Sequence, residues 1–394
     1  MSQRPIDRSP DLKKLRDEGY DLQVVHGYLL VHDIPYLVSK DEVGRGVLIF
    51  PLSLTNDVAN KPADHTADFA GVYPRNADGS QMTQAVNSEK DVAINDTVTA
   101  KFYLSVKPVP SGVYPDFYAK VTQYVRTLGN PARGVDPTAT AKTFPLVRAD
   151  EGDSIFHYVD TASSRAEIVA VTRKMALKKI AILGVGGTGG YILDLVVKSP
   201  VEEIHIVDGD IFQQHNAFRA PGAASGEELE ERLPKVVYFE RIYSKMRRGI
   251  VPHPEYMSEA MLDLLNDMDF VFMSMEAGPV KALVVERLEQ RNIPFIDVGM
   301  GVYLSKGGQL GGTLRTTTSS PKMHAHLKQR IPFSDGSVKN EYDKNIQIAE
   351  LNALHAALAV IRWKKLFGFY ADLEGEHYST YAIARNETNN EDQG

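Results

Sequence analysis

The residues best equipped for chemistry lie in "KKIAILGVGGTGGYILDLVVKSPVEEIHIVDGDIFQQHNAFRAPG", residues 178–222. Gly184, Gly186, Gly187, Thr188 and Gly189 sit between an apolar run and a helical pattern. Glycines there let the backbone approach a phosphate, and the helix start offers free N–H groups and positive potential. Asp208 closes the next apolar run, at the distance at which an acid meets ribose hydroxyls. That pattern predicts a nucleotide without choosing among nucleotides. Asp210, Asn216, Arg219 and Lys235 follow. Arginine supplies a fork and lysine a point charge for phosphate, while asparagine bonds phosphate without adding charge. Asp210 suits a turn-forming role equally well.

These groups need a scaffold. "KIAILGV", "EIHIVDG", "DFVFMSM" and "PFIDVGMGV" read as strands separated by helical segments. That alternation predicts an α/β, Rossmann-like domain with a mostly parallel sheet over residues 156–385. Residues 1–155 carry short alternating runs broken by turn residues, then the helical "PDFYAKVTQYVRTLG", and read as an α+β domain. Residues 130–154 read as a linker, "SSRAEIVAVTRKMA" as a helix, and "KKLRDEGYD" as a solvated helix face. A long late helix is expected to turn Leu351, Leu354, Leu358 and Ile361 inward and to end near Gly368. "YSTYAIAR" reads as a last edge strand and 386–394 as a disordered tail. Residues 316–344 form a long aperiodic segment of the kind that is often functional.

Composition sets the outer bounds. The chain has 394 residues, 43% hydrophobic and 24% charged, enough for two or three globular domains. Its net charge of −7 gives no general field for nucleic acid. No apolar run is long enough for a membrane span, and the polar N-terminus is not a secretory signal, so the expected location is cytoplasmic. Cysteine is absent, which removes disulfides, cysteine zinc sites and any thiol nucleophile.

The stretch from Asp208 through Asp210 and Asn216 to Arg219 resembles the D-x-D-x-V-x-x-S-N-L-x-R signature of the ThiF and ubiquitin-activating enzyme family. Lys235 stands where that family has a nucleotide-contacting lysine. The segment from Asp269 to Lys281 lines up with its D-x-V-x-D-x-x-D-N-x-x-x-R stretch. Glu276 then falls at the family's Mg²⁺-linked aspartate, and Met273 replaces the preceding one. The likeness covers roughly residues 161–370. It implies ATP and Mg²⁺, and adenylation of the C-terminal carboxylate of a ubiquitin-like protein ending in glycine. It also implies a homodimer in which Arg165, ahead of the glycine loop, reaches the partner's nucleotide. The first 155 residues resemble a domain fused upstream of ThiF-like modules in bacteria, expected to recruit the ubiquitin-like substrate or a target. Their α+β make-up would also suit a conjugating-enzyme-like domain.

Family members that form thioesters use a cysteine, which this chain lacks. The adenylate would then pass to another protein, or to Ser319, Ser320 or Ser334, with His324 or His326 as base. Alternatives stay open: activation of a sulfur carrier, an inactive nucleotide-binding adaptor, and, least favoured, a nicotinamide oxidoreductase. His324 and His326 read as solvated rather than as a metal pair, His65 as structural, and Trp363 and Phe367 as packing.

Overall fold

The computed structural model describes residues 3–150, 152, 154–333 and 346–393. The chain divides into unit 1, Met1–Ser154 with Tyr158–Glu167, and unit 2, Ile155–His157 with Ile168–Gly394.

Unit 1 begins with α1 (Arg4–Arg8) and α2 (Pro10–Asp17). Six strands form an antiparallel sheet: β1 (Leu22–Val25), β2 (Tyr28–Ser39), β3 (Glu42–Pro51), β6 (Thr66–Ala70), β7 (Val86–Ala93) and β8 (Thr99–Ser105). Their order is β1-β2-β3-β6-β8-β7, and β4 (Leu54–Thr55) pairs separately with β5 (Val58–Ala59). Helix α3 (Phe117–Val135) starts where the Asp116 side chain accepts from the Ala119 N–H at 2.7 Å. It buries Phe117, Val121, Tyr124, Leu128 and Ala132, one stripe at helical spacing, in a core with Leu29, Phe50 and Phe69. The helix therefore takes in the first residues expected as linker. The stretch expected to be a solvated face is also corrected. Leu15 is buried, and Arg16 is sealed between Asp7 and Asp17. The unit ends with α4 (Thr161–Arg165). The single helix expected from Ser163 onward is interrupted at Glu167, whose φ of 58° is left-handed.

Unit 2 begins with α5 (Val169–Thr172), then β9 (Lys179–Leu183), α6 (Gly187–Val196) and β10 (Glu203–Val207). Next come α7 (Gln214–Ala217), α8 (Gly226–Glu230), α9 (Lys235–Tyr243), β11 (Ile250–His253), β12 (Phe270–Met273) and α10 (Pro279–Gln290). It closes with β13 (Phe295–Leu304), β14 (Leu310–Ser319), α11 (Leu327–Arg330), α12 (Ala349–Leu366), β15 (Glu376–Ala382) and β16 (Glu387–Gln393). The eight strands run β11-β10-β9-β12-β13-β14-β15-β16. From β11 to β13 the pairs are parallel, and from β13 onward antiparallel. The expected α/β sheet is therefore present, on a strand order that reverses between β9 and β12. Such a reversal leaves a crevice at the carboxyl ends of the strands. Among the described residues no helix is long and apolar enough to cross a membrane.

Two expectations fail in unit 2. Helix α12 buries Asn352, His355, Ala356, Ala359, Val360 and Trp363, while Leu354 and Ile361 are exposed. The leucine stripe faces away from the core, because the face that meets α6 must be small. The expected disordered tail is strand β16, which makes β15 an inner strand. Arg330 pins it through Glu391 at 2.5 Å and Asp392 at 2.7 Å. An edge strand wet on both sides carries no apolar pattern, which hides it in a sequence.

Candidate functional site

A cavity of about 570 Å³ opens at the crevice, bounded by the ends of β9, β10 and β12. That volume suits a nucleotide-sized ligand. Gly184, Gly186, Asp208, Asp210, Arg219, Lys235 and Glu276 all line it. These expected residues, drawn from the loops after β9, β10, α7 and β12 and from the start of α9, converge.

Each glycine of the loop has its own reason. Gly184 has φ +83°, and a Cβ there would meet the Ser274 carbonyl oxygen at 2.6 Å. A Cβ on Gly189 would meet the Gly184 carbonyl oxygen at 1.9 Å, so this glycine lets α6 start tight against β9. At Gly187 a Cβ would lie 2.1 Å from Asn352 Nδ2. Gly186 alone among the four faces open space. It is the point at which a phosphate can approach the backbone.

Asp208 braces the loop. Its Oδ2 accepts from the Val185 N–H at 2.9 Å and its Oδ1 from the Asp210 N–H at 2.9 Å. Lys235, buried at the start of α9, lies 2.5 Å from Asp210 Oδ2 and 3.6 Å from Asp208 Oδ1. The Tyr256 hydroxyl donates to Asp210 Oδ1 at 2.5 Å. Lys235 first, then Tyr256, hold the Asp210 carboxyl below the usual range. The Tyr256 ring lies over Gly209, where a Cβ would come within 2.7 Å of it. It therefore forms the lip of the cavity beside Asp208.

Arg219 differs from these paired groups. Among the described residues it makes no ion pair, and its buried Nε has no hydrogen-bond partner. A buried cationic donor left unmatched fits an anionic ligand. Asn216 borders a small adjoining recess with Gly186, Arg219 and Lys235, and its side-chain oxygen accepts from the Gln213 N–H at 2.9 Å, closing the first turn of α7. Thr188 points inward. Arg165 belongs to unit 1, where its guanidinium lies 5.4 Å from the Phe144 ring.

The sequence did not reveal Asn352. Fully buried, it accepts from the Thr188 hydroxyl at 3.0 Å and donates from Nδ2 to the Arg219 carbonyl at 3.2 Å. One side chain of α12 thus ties the glycine loop to the arginine segment. A polar residue among alanines in a helix carries no local signal of such a task. Lys281, the last residue of the segment aligned from Asp269, has no assigned role in the sequence pattern. It lines the cavity and lies 2.5 Å from fully buried Asp297, which Arg315 also meets at 2.7 Å. Asp297 thus carries two cations, of which Lys281 borders the cavity.

Other candidates lie elsewhere. Met273 is fully buried in the core. Among the described residues no group of three or more His, Asp or Glu is placed to hold a metal. Register carries Ser319 away from the loop: Ser319 pairs with Phe295, Phe295 with Val271, and Val271 with Ala181. Ser319 and Ser320 therefore sit at least three rows below Gly184, roughly 10 Å down the sheet at about 3.3 Å per row. The ring nitrogen near Ser320 is not on His324 or His326. It is His377 Nε2, at 2.9 Å from Ser320 Oγ, with His377 Nδ1 2.9 Å from the Gly375 carbonyl. His326 is buried rather than solvated. Ser334 lies outside the described residues. His65 Nε2 meets the Ser105 hydroxyl at 3.2 Å, and Trp363 and Phe367 pack with Phe270.

Comparison with known families agrees with this reading of the fold. Residues 163–354 match the model described as "ThiF family", and residues 10–161 match "Domain of unknown function (DUF6791)". The chain thus carries a ThiF-family domain behind that domain. No curated protein matched. Among solved structures the chain is similar to E. coli MccB, at 18% identity and TM-score 0.47, over 59% of this chain and 68% of that one. It is also similar to E. coli MccB with ATP, at 16% identity and TM-score 0.42, over 59% and 70%. Selenomethionyl PaaA is similar at 17% identity and TM-score 0.43, over 57% and 75%.

Proposed function

We propose that this ThiF-family domain binds ATP in the cavity and adenylates a carboxylate at the C-terminus of a polypeptide. The observation that carries the reading is Arg219, a cation with a buried, unpartnered donor beside an open glycine position. In the reaction a carboxylate oxygen attacks the α-phosphorus of ATP. The bond from that phosphorus to the pyrophosphate oxygen breaks, giving an acyl-adenylate and pyrophosphate. Both reactants are anions, so positioning and cationic charge carry the catalysis. Arg219 would meet the phosphates directly. Lys235 would turn from Asp210 to them when they arrive, leaving Asp208 for the ribose. Gly186 would admit the phosphates to the backbone N–H groups. Mg²⁺ would supply charge neutralisation on the phosphates, and Glu276 is the cavity carboxylate outside the Lys235 cluster that would face it.

The carboxylate is taken to be the C-terminal glycine of a ubiquitin-like protein, the substrate class the sequence resemblance implies. With neither cysteine nor a cavity-lining Ser319 or Ser320, the adenylate would pass directly to a nucleophile on another protein. Arg165 would act across a homodimer. One observation favours a second reading, a nucleotide-binding adaptor: Lys235 is already held by two carboxylates. ATP–pyrophosphate exchange with ubiquitin-like proteins ending in Gly-Gly separates the two. Exchange that requires such a protein and is lost in Arg219→Ala supports adenylation. ATP binding without exchange for any of them supports the adaptor.

A further inference from the structure

A second recess lies wholly within unit 1. It encloses about 440 Å³ between the outer face of α3, the end of α2 and residues 139–142. Three of its lining residues are cations, Arg126, Arg133 and Lys142, against one acid, Glu18. Glu18 is already satisfied. Its Oε2 lies 2.8 Å from Lys142 Nζ, and its Oε1 accepts from the Tyr118 hydroxyl at 2.8 Å. Among the described residues Arg126 and Arg133 have only neutral side-chain partners, Gln123 and Asn130. Among the described residues neither makes an ion pair with a carboxylate. Two unneutralised guanidinium groups thus border one recess on a chain of net charge −7.

The lining between them mixes small residues, including Gly129 and Ala141, with the rings of Tyr118 and Tyr20, the latter 5.5 Å from Lys142 Nζ. Arg126 and Arg133 are seven residues apart on one helix face, a rise of about 10.5 Å. Carboxylates three residues apart on a polyproline II chain share one edge and are separated by about 9 Å, at three residues per turn and a rise of about 3.1 Å each. The planar fork of arginine matches a carboxylate in two hydrogen bonds. A nucleic acid would bring its whole charge against an acidic molecule, whereas a short acidic peptide brings only the groups that are matched.

We infer that this recess binds an acidic peptide of the form Glu-x-x-Glu in the polyproline II conformation, with one glutamate on Arg126 and the other on Arg133. The site would give unit 1 its own recognition of polypeptide partners. The inference does not rest on the adenylation reading, since none of these residues lies in unit 2.

The test uses the full chain and fluorescein-labelled peptides containing Glu-Ser-Gly-Glu or Gln-Ser-Gly-Gln, read by fluorescence anisotropy. The glutamate peptide should bind, and more weakly as salt is raised. The glutamine peptide, and Arg126→Glu or Arg133→Glu in the protein, should each weaken binding by about tenfold or more, the loss of one charge-assisted fork. The exposed Lys322→Glu change should leave binding as it is. Equal affinity for the two peptides, no binding of either, or displacement by an oligonucleotide at lower concentration than by unlabelled glutamate peptide would each overturn the proposal. The peptide comparison decides even if an arginine variant misfolds. ATP–pyrophosphate exchange by Arg126→Glu should match wild type whichever way the peptide result falls.

Discussion

At the scale of single residues, the glycine loop shows how much a motif reveals and how much it conceals. The sequence placed Gly184, Gly186, Gly187 and Gly189 together and gave them one purpose, close approach of phosphate. The structure divides the purpose: Gly187 is small for Asn352, and Gly189 is small for the loop's own carbonyl. Gly186→Ala should therefore cost about 1 kcal/mol of stability or less while weakening ATP binding, because its Cβ would fill the open approach. Gly187→Ala should lose roughly 1–3 kcal/mol by overpacking. Asn352→Ala should lose about 2 kcal/mol, since it strands the Thr188 hydroxyl and the Arg219 carbonyl. Combining the two should cost less than their sum by about 1 kcal/mol, which denaturant titration of all four proteins would read. Strict additivity would mean that the two side chains do not meet. The charged residues were legible because phosphate chemistry constrains their type. Asn352 was not, because its partners come from segments far away in the chain.

Among the elements, α12 carries the clearest lesson. Leu351, Leu354, Leu358 and Ile361 fall on one helical face, and periodicity alone assigns that face to the core. The helix instead lies on α6, whose first turns are glycine-rich, and close approach demands Asn352, Ala356 and Ala359 there. Leu354→Lys should change stability by less than about 0.5 kcal/mol, whereas Trp363→Ala should cost roughly 3–5 kcal/mol, both measurable by chemical unfolding. The reverse order would restore the inward stripe. The parallel strands were readable because continuous apolar runs between helical segments have few other solutions. Strand β16 was unreadable because its polar residues bury nothing and its pairing partner β15 specifies it.

For the whole molecule, unit 2 holds a set of histidines kept neutral mainly by burial. His205, His253, His326 and His377 are pushed below the ordinary histidine range, and His355, fully enclosed beside Arg315, is pushed down to about 4. The folded value lies below the unfolded 6.5. Between those values the unfolded chain binds the extra proton, so stability falls as pH drops through that window. For His355 alone the loss would be about 3 kcal/mol by pH 4, at 1.36 kcal/mol per unit. Thermal unfolding of unit 2 should shift downward between pH 6.5 and 4, and less so in His355→Gln. An unchanged melting curve in that range would contradict the burial argument. Assembly is testable at the same scale. If Arg165 acts on the partner's nucleotide, mixing inactive Arg165→Ala with inactive Arg219→Ala should regenerate exchange activity, because one of the mixed sites is intact. No recovery on mixing would place Arg165 outside the site.

The central claim is that the crevice at the ends of β9, β10 and β12 is an ATP site in which Arg219 meets the phosphates. Calorimetric titration of ATP into the wild-type chain, Arg219→Ala and Asp208→Ala, repeated with NADH, tests it most directly. The expected result is saturable ATP binding, weakened by about tenfold or more in each variant, with no binding of NADH. ATP affinity unchanged by both substitutions, or NADH binding that either substitution abolishes, would contradict it.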